Sequence, residues 1–130
     1  MLFFFTTNKS FAEEKIIQNE NNGIIALMYH RFDENKYPST NIKMEMFKKH
    51  LEDIKNSKLQ FIDIKKFKTI VKKQLKQNYI LLTIDDAFKS FYINAWPLLK
   101  KNNIPFILFV NTENIGTYGY MNWSEIKEIQ

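Results

Sequence analysis

The run Tyr79-Ile80-Leu81-Leu82-Thr83-Ile84 constrains this chain most: it is apolar at nearly every position and ends in two adjacent carboxylates, Asp85-Asp86. Continuous apolar strands suit sheets buried on both faces, which are parallel sheets covered by helices. Ile24–Tyr29, ending in His30, reads the same way, as do residues 106–110, and residues 59–62 fit a shorter strand. Between these runs the apolar residues recur at steps of three or four. Met44, Phe47, Leu51 and Ile54 predict a helix over 43–56, and Ile64, Phe67, Ile70 and Val71 a second from about Asp63. Phe88, Phe91, Ala95, Leu98 and Leu99 predict a third over 87–101, with Pro97 expected to kink or shorten it and Asn102-Asn103 ending it. Residues 31–41 have the composition of a loop, and Asn122-Trp123-Ser124-Glu125 reads as a capping box opening a fourth helix.

Strands alternating with amphipathic helices mean an α/β fold with a parallel sheet. In such folds chemistry gathers at the carboxyl ends of strands. Two strand ends here carry polar groups, His30 and the pair Asp85-Asp86. A carboxylate inside a buried strand costs several kcal/mol unless compensated. Where the strand ends and the backbone turns, both can face one bowl. Their mutual repulsion is relieved by a divalent cation, which leaves one carboxylate as ligand and the other as general base on a bound water. The structural alternative is that one Asp merely caps the next helix. His30 suits a general acid, since histidine is the side-chain type most often used for proton transfer near neutral pH. His50, beside Lys48 and Lys49 on the first helix, reads as exposed and idle. Tyr29 and Trp123 are candidates for stacking on a sugar ring, whereas Phe109 reads as core.

The formal net charge of +5 raises nucleic acid as a partner, but Arg31 is the only arginine and the lysines cluster between Lys43 and Lys76 on amphipathic segments. Solvated helix faces account for them, and no nucleic-acid partner is expected. The absence of cysteine excludes disulfides, thiol catalysis and thiolate-bound zinc. Leu2-Phe3-Phe4-Phe5 followed by Ser10-Phe11-Ala12 resembles the end of a secretory signal peptide, so export to the periplasm or exterior is expected. Residues 1–22 are read as signal remnant and linker, and 23–130 as the N-terminal part of a domain whose truncation is expected, since the sequence stops two turns into its last helix. No stretch approaches the roughly 18 apolar residues of a membrane span.

The segment Leu82-Thr83-Ile84-Asp85-Asp86-Ala87-Phe88 resembles the Thr-Phe-Asp-Asp-Gly motif of NodB-type polysaccharide deacetylases, carbohydrate esterase family 4. Ala26-Leu27-Met28-Tyr29-His30-Arg31 is similar to the Leu-Met-Tyr-His segment of the branch that holds the poly-N-acetylglucosamine deacetylases. The segment from Pro97 to Phe106 and Asn122-Trp123-Ser124-Glu125-Ile126 resemble later parts of the domain, in the same order. The resemblance implies a partial, distorted (β/α) barrel with parallel strands and removal of N-acetyl groups from an N-acetylglucosamine-type polymer. It implies Asp85 as catalytic base, His30 as catalytic acid and Asp86 as a ligand of a divalent metal, often zinc.

This sequence departs from the pattern at Ile84, in place of Phe, and at Ala87, in place of Gly, where the turn is expected to be restricted. The family's His-x-x-x-His metal pair is absent, since both histidines precede the acidic pair. Asp86 alone cannot make a three-ligand site, so the isolated chain is expected to bind the metal poorly and to be inactive. The alternatives are a deacetylase-like module that grips glycans without turning them over and, less favoured, a receiver-type signalling domain. In the latter the acidic pair follows the first strand, and a further Asp follows a later one; no Asp occurs after Asp86 here. A glycosidase needs carboxylates across a cleft, about 5 Å or more apart.

Overall fold

The computed structural model describes residues 22–72, 75 and 77–130. The expected signal remnant lies outside them. In chain order the elements are β1 (Ile24–Tyr29), β2 (Arg31–Phe32), β3 (Asn41–Ile42), α1 (Met44–Asn56), β4 (Gln60–Phe61), α2 (Ile64–Val71), β5 (Tyr79–Ile84), a π-helical turn (Phe91–Ala95), α3 (Trp96–Lys101), β6 (Ile107–Leu108) and α4 (Trp123–Ile129).

The chain is α/β, and the pairs of its main sheet are parallel. β5 is the centre of that sheet, as its unbroken apolar run requires. It pairs along its whole length with β1, from Ile24 opposite Tyr79 to Tyr29 opposite Ile84. β4 pairs with the start of β5 and β6 with its end. The sheet is open: among the described residues the strands do not close into a barrel.

The core lies where α1, the π-helical turn, α3 and α4 cover this sheet. Phe32, Phe47, Leu82, Ile84, Phe91, Leu99 and Met121 are fully buried. Helix α1 buries Met44, Phe47, Leu51 and Ile54, the stripe its spacing predicts. Each such side chain contributes roughly 1.5–3 kcal/mol by leaving water.

Several expectations are corrected. β1 is not buried on both faces: Ile25 is 51% and Met28 63% exposed, and β5 is its only partner strand among the described residues. The expected loop 31–41 holds a two-stranded parallel pair, β2 with β3. It also supplies a long-range cap, with the Met44 amide donating to Asp33 Oδ1 at 2.9 Å at the start of α1. The strand expected over 106–110 pairs only at Ile107–Leu108, and Phe109 is exposed, although its amide still donates to the Ile84 carbonyl. Ala87 and Phe88 precede the third helix. Its first part is a π-helical turn in which the Trp96 amide donates to the Phe91 carbonyl, five residues back. That widened turn precedes Pro97, which has no N–H to give and clashes with a regular preceding turn, so the helix continues through the proline. Asn102-Asn103 does end the helix: Asn103 takes a left-handed φ of 51°, and the Ile104 amide donates to the Leu99 carbonyl.

Candidate active site

His30 follows β1 and Asp85 follows β5. Because β1 and β5 are parallel and in register to their last residues, both groups emerge at one end of the sheet. The backbone fixes their relative height, since the Asp85 amide donates to the Tyr29 carbonyl at 2.8 Å. The imidazole Nε2 of His30 lies 3.9 Å from Asp85 Oδ2, and both side chains are about three-quarters buried. The separation is beyond hydrogen-bond length but within reach of an ion pair. The other carboxylate oxygen, Oδ1 of Asp85, is buried and accepts no hydrogen bond from the described residues. Buried polar atoms are almost always paired, so an orphan of this kind marks a place where a ligand, ion or water is meant to bind.

The chain then turns left-handed twice, with φ of 68° at Asp86 and 55° at Ala87. Two consecutive positive φ values suit Gly, Asn or Asp; alanine there is strained by about 1–2 kcal/mol. The expectation that Ala87 restricts the turn is therefore met differently: the turn keeps its left-handed shape and alanine is forced into it. The surrounding contacts that hold it are visible. The Met121 amide donates to the Ala87 carbonyl and the Lys89 amide to the Gly119 carbonyl. The Phe88 ring lies against Arg31, whose guanidinium carbon is 3.4 Å from the ring centroid, and against Tyr120, whose ring centroid is 4.8 Å away. The Tyr37 ring centroid lies 4.0 Å from the Arg31 guanidinium carbon, and Glu34 pairs with Arg31 at 2.9 Å.

This column Tyr37–Arg31–Phe88–Tyr120 ties together the loop after His30, the acidic turn and the loop before α4. Sequence reasoning missed it. The only signal was that Arg31 is the chain's sole arginine, placed directly after His30.

Tyr29 is not available to a sugar. Its ring packs edge-on against Phe47 at 5.0 Å, and its hydroxyl pairs with His50 Nδ1 at 2.9 Å. Burial pushes the Tyr29 hydroxyl above its ordinary pKa. His50 is thus half-buried and engaged, not exposed and idle. Trp123 opens α4 and is exposed.

The structure brings His30 and Asp85 together. Asp86 follows on the turn, but no group of three or more His, Cys, Asp or Glu side chains forms around it among the described residues. The orphaned Asp85 oxygen and the adjoining carboxylate suit the rim of a cation site. The donor set supplies one ligand where zinc takes at least three, so these residues by themselves do not hold a metal.

Residues 72–130 match the family model described as polysaccharide deacetylase. The chain is 26% identical over 133 residues to the poly-beta-1,6-N-acetyl-D-glucosamine N-deacetylase of Staphylococcus epidermidis, covering 91% of this chain and 46% of that protein. The protein of that name from Staphylococcus aureus is 25% identical over 129 residues, covering 88% and 44%. Among solved structures, IcaB from Ammonifex degensii superposes with a TM-score of 0.75 at 28% identity, over 83% of this chain and 48% of that one. The Streptococcus pyogenes deacetylase PplD, in complex with acetate, gives 0.70 at 23% identity, over 82% and 51%, and supports the fold alone. The chain spans less than half the length of the curated relatives it matches.

Proposed function

We propose, from the premise that residues 72–130 belong to the polysaccharide deacetylase family, that this chain carries the acid–base half of a metal-dependent N-deacetylase. Its substrate is an N-acetylglucosamine polymer, the class named for the relatives above. The observation that carries the reading is Asp85 itself, whose Oδ1 is buried without a partner among the described residues and whose Oδ2 lies 3.9 Å from the His30 imidazole.

Hydrolysis of an acetamido group needs two proton transfers. Water must lose a proton as it attacks the carbonyl, and the nitrogen must gain one as the C–N bond breaks. Asp85 takes the first: a buried carboxylate oxygen with no donor on it has its lone pairs free for water. His30 gives the second. The 3.9 Å gap leaves its Nε2 unbonded to the base and so free to face the leaving nitrogen. Asp86 contributes one carboxylate to a divalent cation, zinc in our reading, whose remaining ligands are not among the described residues. The cation's chemistry is to polarise the carbonyl and offset the charge that develops on its oxygen. The exposed rings of Trp123 and Phe109 are faces on which a sugar can stack. We place the reaction outside the cell, on the export reading of the N-terminus.

Two measurements test this. Zinc titration of the chain alone is expected to give no submicromolar site; finding one refutes the view that ligands are missing. In a full-length form that includes a histidine pair, acetate release from β-1,6-linked N-acetylglucosamine oligomers is followed by mass spectrometry. Asp85→Asn is expected to lower turnover by roughly 10²–10⁴-fold while keeping the metal, and Asp86→Asn to lose the metal. Equal metal retention in the two variants breaks the assignment of roles.

A further inference from the structure

The excess positive charge is not spread over the molecule. Residues 58–76 contain seven lysines and one aspartate, a surplus of six, so the remainder of the chain carries a net charge of −1. The centre of this stretch is α2, Ile64–Val71. Its one neighbouring acid, Asp63, is occupied in capping the helix through the Lys65 amide at 2.8 Å. By contrast α1 balances three lysines against three acids and forms an internal Lys49–Asp53 pair. Lys65, Lys66, Lys68 and Lys72 are all exposed, and none takes part in an ion pair among the described residues.

The apolar side of α2 is only partly used by the fold. No residue of the helix is fully buried; Phe67 and Ile70 are half-buried, whereas Ile64 is 46% and Val71 53% exposed. At 3.6 residues per turn, Ile64 and Val71 fall on one flank, and Lys68, Lys72 and Lys65 follow next around the helix. A cationic edge bordered by exposed aliphatic side chains is the composition of a helix that lies in a bilayer interface, with lysines at the headgroups and the aliphatic flank below them. We infer that α2 is a docking element for an anionic lipid surface. A nucleic acid is disfavoured because every base in the patch is lysine, and phosphate forks and base edges are read best by arginine. Exposed Ile64 and Val71 have no use against a soluble polyanion. The inference stands independently of the proposed deacetylase chemistry.

Vesicle co-sedimentation of the whole chain tests it, with phosphatidylcholine vesicles compared with equimolar phosphatidylcholine–phosphatidylglycerol. Binding to the anionic vesicles only, weakening as salt rises, is expected. Replacing Lys65, Lys68 and Lys72 by Gln removes three charges worth about fivefold each near such a surface, a loss on the order of a hundredfold. Val71→Ser is expected to weaken binding severalfold at unchanged charge. These side chains are exposed, so unchanged far-ultraviolet dichroism confirms that each variant is folded. Residues 1–21 are the same in all variants and cannot account for a difference between them. Equal binding to neutral vesicles, or no loss in the lysine variant, overturns the inference. So does binding to dextran sulfate as tight as to vesicles with no effect of Val71→Ser, which would mark a soluble polyanion as the partner.

Discussion

Asp85 keeps a buried oxygen without a partner among the described residues, next to an imidazole that is not hydrogen-bonded to it, an arrangement that costs stability. Removing the charge should therefore stabilise the fold. Asp85→Asn is expected to raise the free energy of unfolding by about 1 kcal/mol at neutral pH in urea titrations, because a neutral amide costs less to bury than a carboxylate. A loss of stability would mean that the carboxylate is a structural partner after all. Ala87 makes the complementary case. It is fully buried at a φ of 55°, where a β-branched side chain has no comfortable rotamer and no space. Ala87→Val is expected to cost at least about 2 kcal/mol by strain and overpacking. Ala87→Gly should lie within about 1 kcal/mol of the parent, because relief of strain is offset by a lost methyl contact and a more flexible unfolded chain.

Among the elements, α4 shows how a short helix is held next to the site. Both halves of its capping box form, Asn122 accepting from the Glu125 amide and Glu125 from the Asn122 amide, each at 2.9 Å. Glu125 also pairs with Lys89, and Tyr92 donates to Glu128 at 2.6 Å, so α4 is stapled to the helix that follows the acidic turn. Burial alone would push the Glu125 carboxyl up, but the hydrogen bonds from Lys89 and the Asn122 amide, with the Lys89 charge, bring it below its ordinary 4.5. A lowered folded pKa means that the unfolded chain binds this proton more readily. The contribution is complete above about 4.5 and is lost as pH falls through the lowered value. Glu125→Gln is thus expected to unfold about 1 kcal/mol more easily at pH 7, with the difference from the parent shrinking in urea midpoints as pH falls below 4.5. This box was legible in the sequence because it depends on residues three apart, as was the α1 stripe. The β2–β3 pair was not, because two-residue strands have no periodicity to read. Nor was the Arg31–Phe88 contact, which joins residues far apart in the chain through a fold that local spacing does not specify.

At the scale of the whole molecule, the apolar run of β1 was read as buried on both faces, and that inference fails for a physical reason. An apolar strand and a strand with covered neighbours look alike in sequence; only the sheet order tells them apart. Here β1 pairs with β5 alone among the described residues, leaving Ile25, Ala26 and Met28 exposed on an open sheet. The position of the site follows from the same topology: one parallel pair in register, β1 with β5, places His30 beside Asp85 without any contribution from a closed barrel. The site geometry and the exposed edge thus share one cause, and the edge has its own consequence. An uncharged, aliphatic edge strand is a template for pairing with another chain, and a lysine on it opposes that pairing. The chain alone is therefore expected to self-associate with rising concentration in sedimentation velocity. Met28→Lys should shift it towards monomer at unchanged dichroism, since Met28 is already 63% exposed and its side chain fills no part of the core. Association of the Met28→Lys chain equal to that of the parent would show that another surface drives it and that the β1 edge is protected.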